Sequence, residues 1–508
     1  MQGDALVKGD RVARVGHLDA PAGCVRVDGR GLVLCPGFID VHTHDDLALL
    51  REPDMVPKVA QGVTTVVAGN CGIGVAPMSQ ALSNALAGAF LVILGPGIAP
   101  SWETFHQYLE ACAAAPAAAN AAFLVPHAAV RLAVMGLAAR QADQRELAAM
   151  RALMAECMEA GAIGMSTGLV YEPAKFASAE ELVGLAAEVG KYGGIYASHI
   201  RDEGDRLIAA VREAILVGDE SGAAVQISHL KAVGRANWDK LSICLSLMRS
   251  ARERGLRVSA DVYPYTAAAT TLGAVVTIHG TDENARGDGI RITYAPEQEE
   301  LEGKLLSEIA SEWGTTQQEA ASRILARSES VMAVMHVMSE EGVRDVLRFE
   351  GAMIGSDGLP NPDGRTHPRM FGTFPRVLGR YARDSKVLGL EEAVHRMTGL
   401  PATTFGLHGR GVIAPGSPAD LVLFDPGAVA DRATYQVPNQ SPAGICMVVV
   451  NGEVVMRGGV STGQRAGRVL RAARLGRRLR LARPAHGDYL PGLQVDRDAA
   501  AIAPAWFR

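Results

Sequence analysis

Aromatic residues are scarce in this 508-residue chain: Phe, Trp and Tyr make up 5% of it. The 48% hydrophobic share therefore rests on Ala, Val and Leu, which suits helix-on-strand packing better than an aromatic-rich sandwich. Paired cysteines are lacking too. The seven cysteines are odd in number and scattered without a paired framework, so reduced thiols of a cytoplasmic protein are expected. Neither sign of charge dominates. A net charge of −5 gives no general case for a nucleic-acid partner or an anionic membrane surface. Long apolar runs are also missing: Ala81–Ile98 is the most apolar stretch, but Ser83, Asn84, three glycines and Pro96 spoil it as a membrane span. The opening MQGDALVKGDRVARVG has no apolar core of a signal peptide. These absences leave a soluble cytoplasmic protein, and its oligomeric state stays open.

What is present is alternation. Short β-branched runs fall at Phe38–Val41, Val63–Ala68, Ala122–Val125, Ala162–Met165, Ile195–Ser198, Ala224–Ser228, Val258–Val262 and Ala352–Gly355. Amphipathic stretches such as Gln144–Ala160, Ser178–Lys191, Arg206–Ser221 and Lys240–Arg254 separate them. Alternation of this kind predicts parallel strands with crossover helices, and eight units are the number in a (β/α)8 TIM-like barrel. The barrel is placed at residues 36–405. Thr266–Ser330 is too long for a simple crossover and is taken as an insertion over the barrel mouth, while Val331–His336 offers a ninth strand.

The two ends are Val/Gly-rich, with short alternating runs at Cys24–Leu34, Asp420–Phe424, Met447–Val450 and Glu453–Met456, and a hairpin signal at Asn451-Gly452. Neither end can close a sheet alone. Residues 1–35 and 406–470 are therefore expected to form one small β-sandwich domain, with 471–508 as a basic extension. Gln464–Pro484 carries eight arginines, which a solvated helix or tail explains without a function.

The run PGFIDVHTHDD, Pro36 to Asp46, puts His42 and His44 two apart behind a short strand, so both imidazoles project to one side. Alone, the pair is weak evidence, and surface histidines at a strand-to-loop junction explain it better. The strand map changes the weighing. Cys71 follows the second strand, His199 ends IYASH, His229 ends VQISH and Asp357 ends MIGSD. In a barrel all six residues fall at the carboxyl ends of the strands, where active sites of this fold lie. A thiolate with imidazoles selects zinc over magnesium or calcium. Asp357, flanked by glycine-permitted turns in GSDG, is placed to move a proton to and from zinc-activated water. Lys231 lies two residues beyond His229, and Arg369 twelve beyond Asp357, as fixed cations. Tyr171 and Tyr263 offer phenolic donors, though each of these four also reads as an ordinary surface or core side chain.

PGFIDVHTHDD, GNCG, STGLVYEP, SHIRDE, ISHLK, YPYT and IGSDG, followed by HPRMFGTFPRVLGRY, resemble the N-acyl-D-amino-acid deacylases of the amidohydrolase superfamily. The resemblance runs from about residue 10 to 470 and closes with APGSPADLVLFDP. It implies that Cys71, His199 and His229 hold the principal zinc, with His42, His44 and Asp357 forming a weaker second site. It further implies Asp357 as general base and then acid, Tyr171 polarising the scissile carbonyl, and Lys231, Tyr263 and Arg369 gripping the carboxylate of a D-amino acid. The products would be a carboxylate and a free D-amino acid.

Hydantoinases and dihydroorotases share the closing stretch, but GAIGMSTG lacks the lysine that they carbamylate. Another amidohydrolase acting on a cyclic amide or dipeptide is thus the second reading. A catalytically inactive scaffold is the third, disfavoured because all six site positions are filled. Family members begin with a further hairpin before the segment matching Ala5–Val15, so the small β domain is expected to be incomplete.

Overall fold

The computed structural model describes residues 3–19, 21–87, 90–95, 97–281, 289–360 and 367–472. From residue 473 onward the expected basic extension lies outside the described residues. Eight parallel strands form one sheet: β1 (Phe38–Asp40), β2 (Val63–Ala68), β3 (Asn120–Pro126), β4 (Gly164–Gly168), β5 (Ile195–His199), β6 (Ala224–Ile227), β7 (Val258–Val262) and β8 (Ala352–Ile354). They pair in chain order from β1 to β8. The sheet is rolled into a nearly closed barrel whose seam, between β8 and β1, is bridged just beyond the strand ends by Thr43 and Gly358.

Side chains alternate across each strand. On β3, Ala122 and Leu124 fill the barrel interior beside Ile39, Val67 and Met353, while Phe123 and Val125 pack under the outer helices. Those helices carry their own start and stop signals. Gln144–Ala160 begins on Asp143, whose carboxylate accepts the backbone N–H of Arg145 and Glu146, and ends at Gly161 with φ 114°. No helix among the described residues is long and apolar enough to cross a membrane.

Between β7 and β8 the chain builds an antiparallel sheet in the order Ala267–Thr271, Met332–His336, Ile290–Tyr294. Helices Leu306–Trp313 and Gln317–Leu325 bury Leu306, Ile309 and Ile324 in a core belonging to this segment. The run Val331–His336 is thus the centre of the inserted sheet rather than a barrel strand, and that sheet extends past residue 330. A strand in the middle of a sheet that is buried on both faces is a continuous apolar run, the same sequence pattern as a parallel barrel strand.

The chain ends meet as expected. Val33–Pro36 pairs with Leu421–Phe424, which continues through Ile445–Val450 and Glu453–Arg457 to Val460–Ser461. Of the run Cys24–Leu34, only its end is strand. Asn451 and Gly452, at φ 45° and 87°, make the tight turn that only such residues accept. Asp4–Lys8 and Arg11–Gly16 form a separate hairpin, tied to the larger sheet by the Arg11 to Pro418 bridge.

Candidate metal centre and active site

Six residues end barrel strands or begin the loops after them, and the barrel brings all six to one mouth. Backbone geometry marks three of them. Cys71, His229 and Asp357 have φ of 53°, 36° and 48°, three of the six non-glycine residues in the left-handed region among the described residues. Side chains of this kind rarely hold that conformation, and it concentrates at functional sites where the surroundings enforce it. Gly168 helps to enforce it at Cys71, because a Cβ there would run into the Cys71 carbonyl oxygen.

The donor atoms converge. Cys71 Sγ lies 3.3 Å from His42 Nε2 and 3.5 Å from His229 Nε2. His229 Nε2 is 3.1 Å from His199 Nδ1. Asp357 Oδ1 stands 3.4 Å from both His42 Nε2 and His44 Nε2. Ligand atoms of His42, Cys71, His229 and Asp357 all fall within 4.8 Å of one another, and His199, Glu203 and His229 form a second such group. The grouping differs from the division implied by the resemblance: His42 sits with Cys71, and His229 belongs to both groups.

Burial and charge set the protonation states. Burial pushes the Cys71 thiol up, but the imidazoles of His42 and His229 outweigh it and hold the thiol well below its usual range. Burial likewise opposes ionisation of Asp357, and Arg369, His42 and His44 overcome it, leaving the carboxyl well below the ordinary carboxylate range. Burial pulls His44 down, while Asp357 and Cys71 carry it up to about 9. His199 is lowered, chiefly by burial. A buried thiol held in its ionised form, four imidazoles and an ionised carboxylate are a donor set that fits a divalent zinc ion.

A further layer orients these donors. Asp261 Oδ1 lies 3.1 Å from His42 Nδ1 and accepts the backbone N–H of His229 at 2.9 Å, so one carboxylate orients the His42 ring and anchors the His229 backbone. Glu203 Oε1 lies 3.1 Å from His229 Nδ1 and 2.5 Å from Lys231 Nζ. Carboxylates bound to the outer nitrogens of metal-facing histidines fix the tautomer that points a lone pair inward. Neither Glu203 nor Asp261 was singled out by sequence reasoning, although Glu203 closes the motif SHIRDE and Asp261 stands two residues before YPYT.

The candidate substrate residues are all at the mouth, and two are already engaged. Lys231 pairs with Glu203, and Arg369 Nη1 lies 2.9 Å from Asp357 Oδ2 while its guanidinium covers the Tyr263 ring at 4.6 Å. The buried Tyr263 hydroxyl has no hydrogen-bond partner among the described residues. Tyr171 OH is 3.5 Å from Thr270 Oγ1 of the insertion, and its ring meets His199 edge-on. His367, also missed although it begins HPR, accepts the Arg369 backbone N–H through Nδ1 and reaches the Ala267 carbonyl through Nε2. It ties the Arg369 loop to the insertion. A cavity opens here, lined by the metal-facing residues on one side and by Ile73, Ile93, Val170, Ile278, Met335 and Leu359 on the other.

Comparison with known proteins shows the family of the chain. The model of the amidohydrolase family matches residues 26–456. A D-aminoacylase from Alcaligenes xylosoxydans xylosoxydans is 46% identical over 467 residues, spanning 92% of this chain and 93% of that protein. Among solved structures, a D-aminoacylase with a binuclear metal centre, described as activated by one metal and attenuated by the second, superposes with a TM-score of 0.84 at 43% identity, covering 92% of this chain and 95% of that one. The N-acyl-D-glutamate deacylase of Bordetella bronchiseptica, complexed with zinc and a phosphonate that mimics the tetrahedral intermediate, superposes with a TM-score of 0.86 at 39% identity, covering 93% and 96%.

Proposed function

The chain belongs to the amidohydrolase family, among the N-acyl-D-amino-acid deacylases, and from that premise we propose that it hydrolyses N-acyl-D-amino acids with zinc as its metal. The products are a carboxylate and a free D-amino acid. The convergence of an ionisable thiol, four imidazoles and Asp357 on one barrel mouth is the observation that carries this reading. The second reading, a cyclic amide as substrate, has no lysine on β4 to support it.

By the resemblance Cys71, His199 and His229 would hold the principal zinc and His42, His44 and Asp357 the weaker second site, with Cys71, 3.3 Å from His42 Nε2, standing between the two. When bound, zinc supplies a Lewis acid that lowers the pKa of water to about 7 and polarises a carbonyl. The chain's own groups do the rest. Asp357, ionised and buried, takes a proton from the attacking water and returns it to the departing amine nitrogen. Tyr171, whose phenol burial keeps protonated, donates to the acyl carbonyl oxygen as charge develops on it. Arg369, Lys231 and the unpartnered Tyr263 hydroxyl receive the carboxylate of the amino acid and fix its register.

The cavity walls favour an apolar side chain on that amino acid. Ile73, Ile93, Val170, Ile278, Met335 and Leu359 offer no charge. The cations nearest the site are each paired with a carboxylate, Lys231 with Glu203 and Arg369 with Asp357. An acidic side chain would be desolvated there without a partner, at a cost of several kcal/mol.

The test is an assay of zinc-loaded protein against paired D- and L-N-acetyl amino acids with acidic and apolar side chains. Hydrolysis of the D-apolar member is expected, with kcat/KM for the D-acidic member at least ~100-fold lower. Turnover of the L-enantiomers at an equal rate would overturn the D-amino-acid reading, and a preference for D-glutamate or D-aspartate would overturn the apolar one.

A further inference from the structure

One buried charge cluster lies outside the groups that the proposed reaction uses. Lys58, on the short helix Val56–Val59 between β1 and β2, is fully buried. Its Nζ lies 2.8 Å from Asp40 Oδ2, 2.7 Å from Ser356 Oγ and 3.4 Å from Asp45 Oδ2. Burial opposes its charge, and Asp40 and Asp45 outweigh that opposition. An ammonium has three donors, and here all three face partners.

Ser356 is equally saturated. Its hydroxyl donates to Asp40 Oδ2 at 2.6 Å and accepts from Lys58 and from the Gly358 N–H at 3.1 Å. Its backbone N–H donates to Asp40 Oδ1 at 2.8 Å. These bonds pin the residues on both sides of Asp357, whose own N–H donates to the His42 carbonyl at 2.7 Å. Lys58 also packs against the Gly358 backbone: a Cβ on Gly358 would come within 2.7 Å of Nζ. The cluster occupies the β8–β1 seam, where no strand ladder aligns the edges.

A buried lysine with two carboxylates is not needed for stability, because apolar side chains of similar volume commonly serve as well. What this arrangement does provide is direction. Asp357 is a non-glycine residue at φ 48°, a conformation its own sterics disfavour and its surroundings must impose.

We propose that Lys58, Asp40 and Ser356 form a positioning clasp that closes the barrel seam and locks Asp357 in its left-handed conformation, so that its carboxylate meets His42, His44 and Arg369. Lys58 and Ser356 are positioning residues: they touch no reacting atom and act through Asp357. The proposal rests on the reading of Asp357 as acid/base for its kinetic consequence, and on the backbone alone for its structural one.

The test uses Ser356→Ala, which removes the hydroxyl link and leaves the Lys58–Asp40 pair in place, and Lys58→Met as the stronger variant. In zinc-loaded full-length protein, kcat of Ser356→Ala for an N-acetyl-D-amino acid is expected to fall ~10- to 100-fold, the scale of losing supporting contacts around a functional group, with KM changed less than ~3-fold and stoichiometric zinc retained. A crystal structure of Ser356→Ala should show Asp357 out of its left-handed conformation or its carboxylate displaced from His44. Wild-type kcat in Ser356→Ala, beside an inactive Asp357→Asn, overturns the clasp. If Asp357→Asn itself keeps turnover, the acid/base reading fails, and the crystal structure of Ser356→Ala alone decides the clasp: Asp357 in its wild-type place overturns it.

Discussion

Arg369 Nη1 lies 2.9 Å from Asp357 Oδ2, so the cation placed to receive the substrate's carboxylate is the same one that holds the proposed base ionised. The two functions are coupled through one guanidinium. A substrate carboxylate entering the mouth competes with Asp357 for it, and substrate binding thereby changes the charge environment of the base.

Arg369→Ala is expected to raise KM for a free-carboxylate substrate by ~30-fold or more, the scale of truncating one partner of a buried charge pair. An amide-capped analogue should lose much less. The pH profile supplies a second reading. Arg369 helps to hold the Asp357 carboxyl below its ordinary range, so the base form persists to low pH. Without Arg369 the carboxyl protonates at higher pH, and the acid limb of kcat/KM for the amide-capped analogue should move upward. An unmoved acid limb would refute the coupling.

Cys71→Ala is expected to lose stoichiometric zinc, measured by elemental analysis after gel filtration. The thiol is the one sulfur donor in either cluster of potential ligands. Normal zinc content in the variant would remove Cys71 as a ligand and shift the principal site toward the imidazoles.

Glu203→Gln probes the outer layer. Glu203 lies against both His229 Nδ1 and Lys231 Nζ, and those groups hold its carboxyl well below the usual range against the effect of burial. The neutral amide cannot balance the Lys231 charge and only weakly fixes the His229 ring. Zinc affinity should fall ~10- to 100-fold in a chelator competition. Unchanged affinity would mean that the Glu203–Lys231 pair serves the substrate side of the cavity alone.

Much of this arrangement was legible in the residues, and the remainder was hidden for a physical reason. The barrel strands announce themselves because each is a short apolar run bounded by turn residues, and Gln144–Ala160 spans the same residues in sequence pattern and in structure. His42, Cys71, His199, His229 and Asp357 could be found because each follows such a run at the same end. Met332–His336 misleads because a central antiparallel strand and a barrel strand share one pattern. Lys58 gave no signal at all: its partner Ser356 is 298 residues away, and a lysine in a short helix ordinarily faces solvent. Glu203 sat in a quoted motif and Asp261 two residues before another, but their task depends on ring orientation, which spacing along the chain does not encode.

The helix layer carries its own charged junction, which predicts acid behaviour. His127 Nε2 lies 2.8 Å from Glu181 Oε1, and Arg131 Nη1 lies 2.5 Å from Glu181 Oε2, all three side chains buried between Ala179–Gly190 and the helix after β3. Burial alone would raise the Glu181 carboxyl, but His127 and Arg131 reverse the sign and lower it from 4.5. A carboxyl lower in the folded state than in the unfolded chain adds stability above its unfolded pKa and loses it as pH falls through the folded one. Glu181→Gln leaves Arg131 as a buried cation without its counter-charge, so the variant should be ~3–5 kcal/mol less stable at pH 7. The gap between wild type and variant should then narrow as pH falls below 4.5, because only the wild type has this carboxylate to protonate. Denaturant unfolding of both proteins across that window measures the difference, and groups common to both cancel. A gap that stays constant with pH would show that Glu181 contributes by shape and hydrogen bonding rather than by charge.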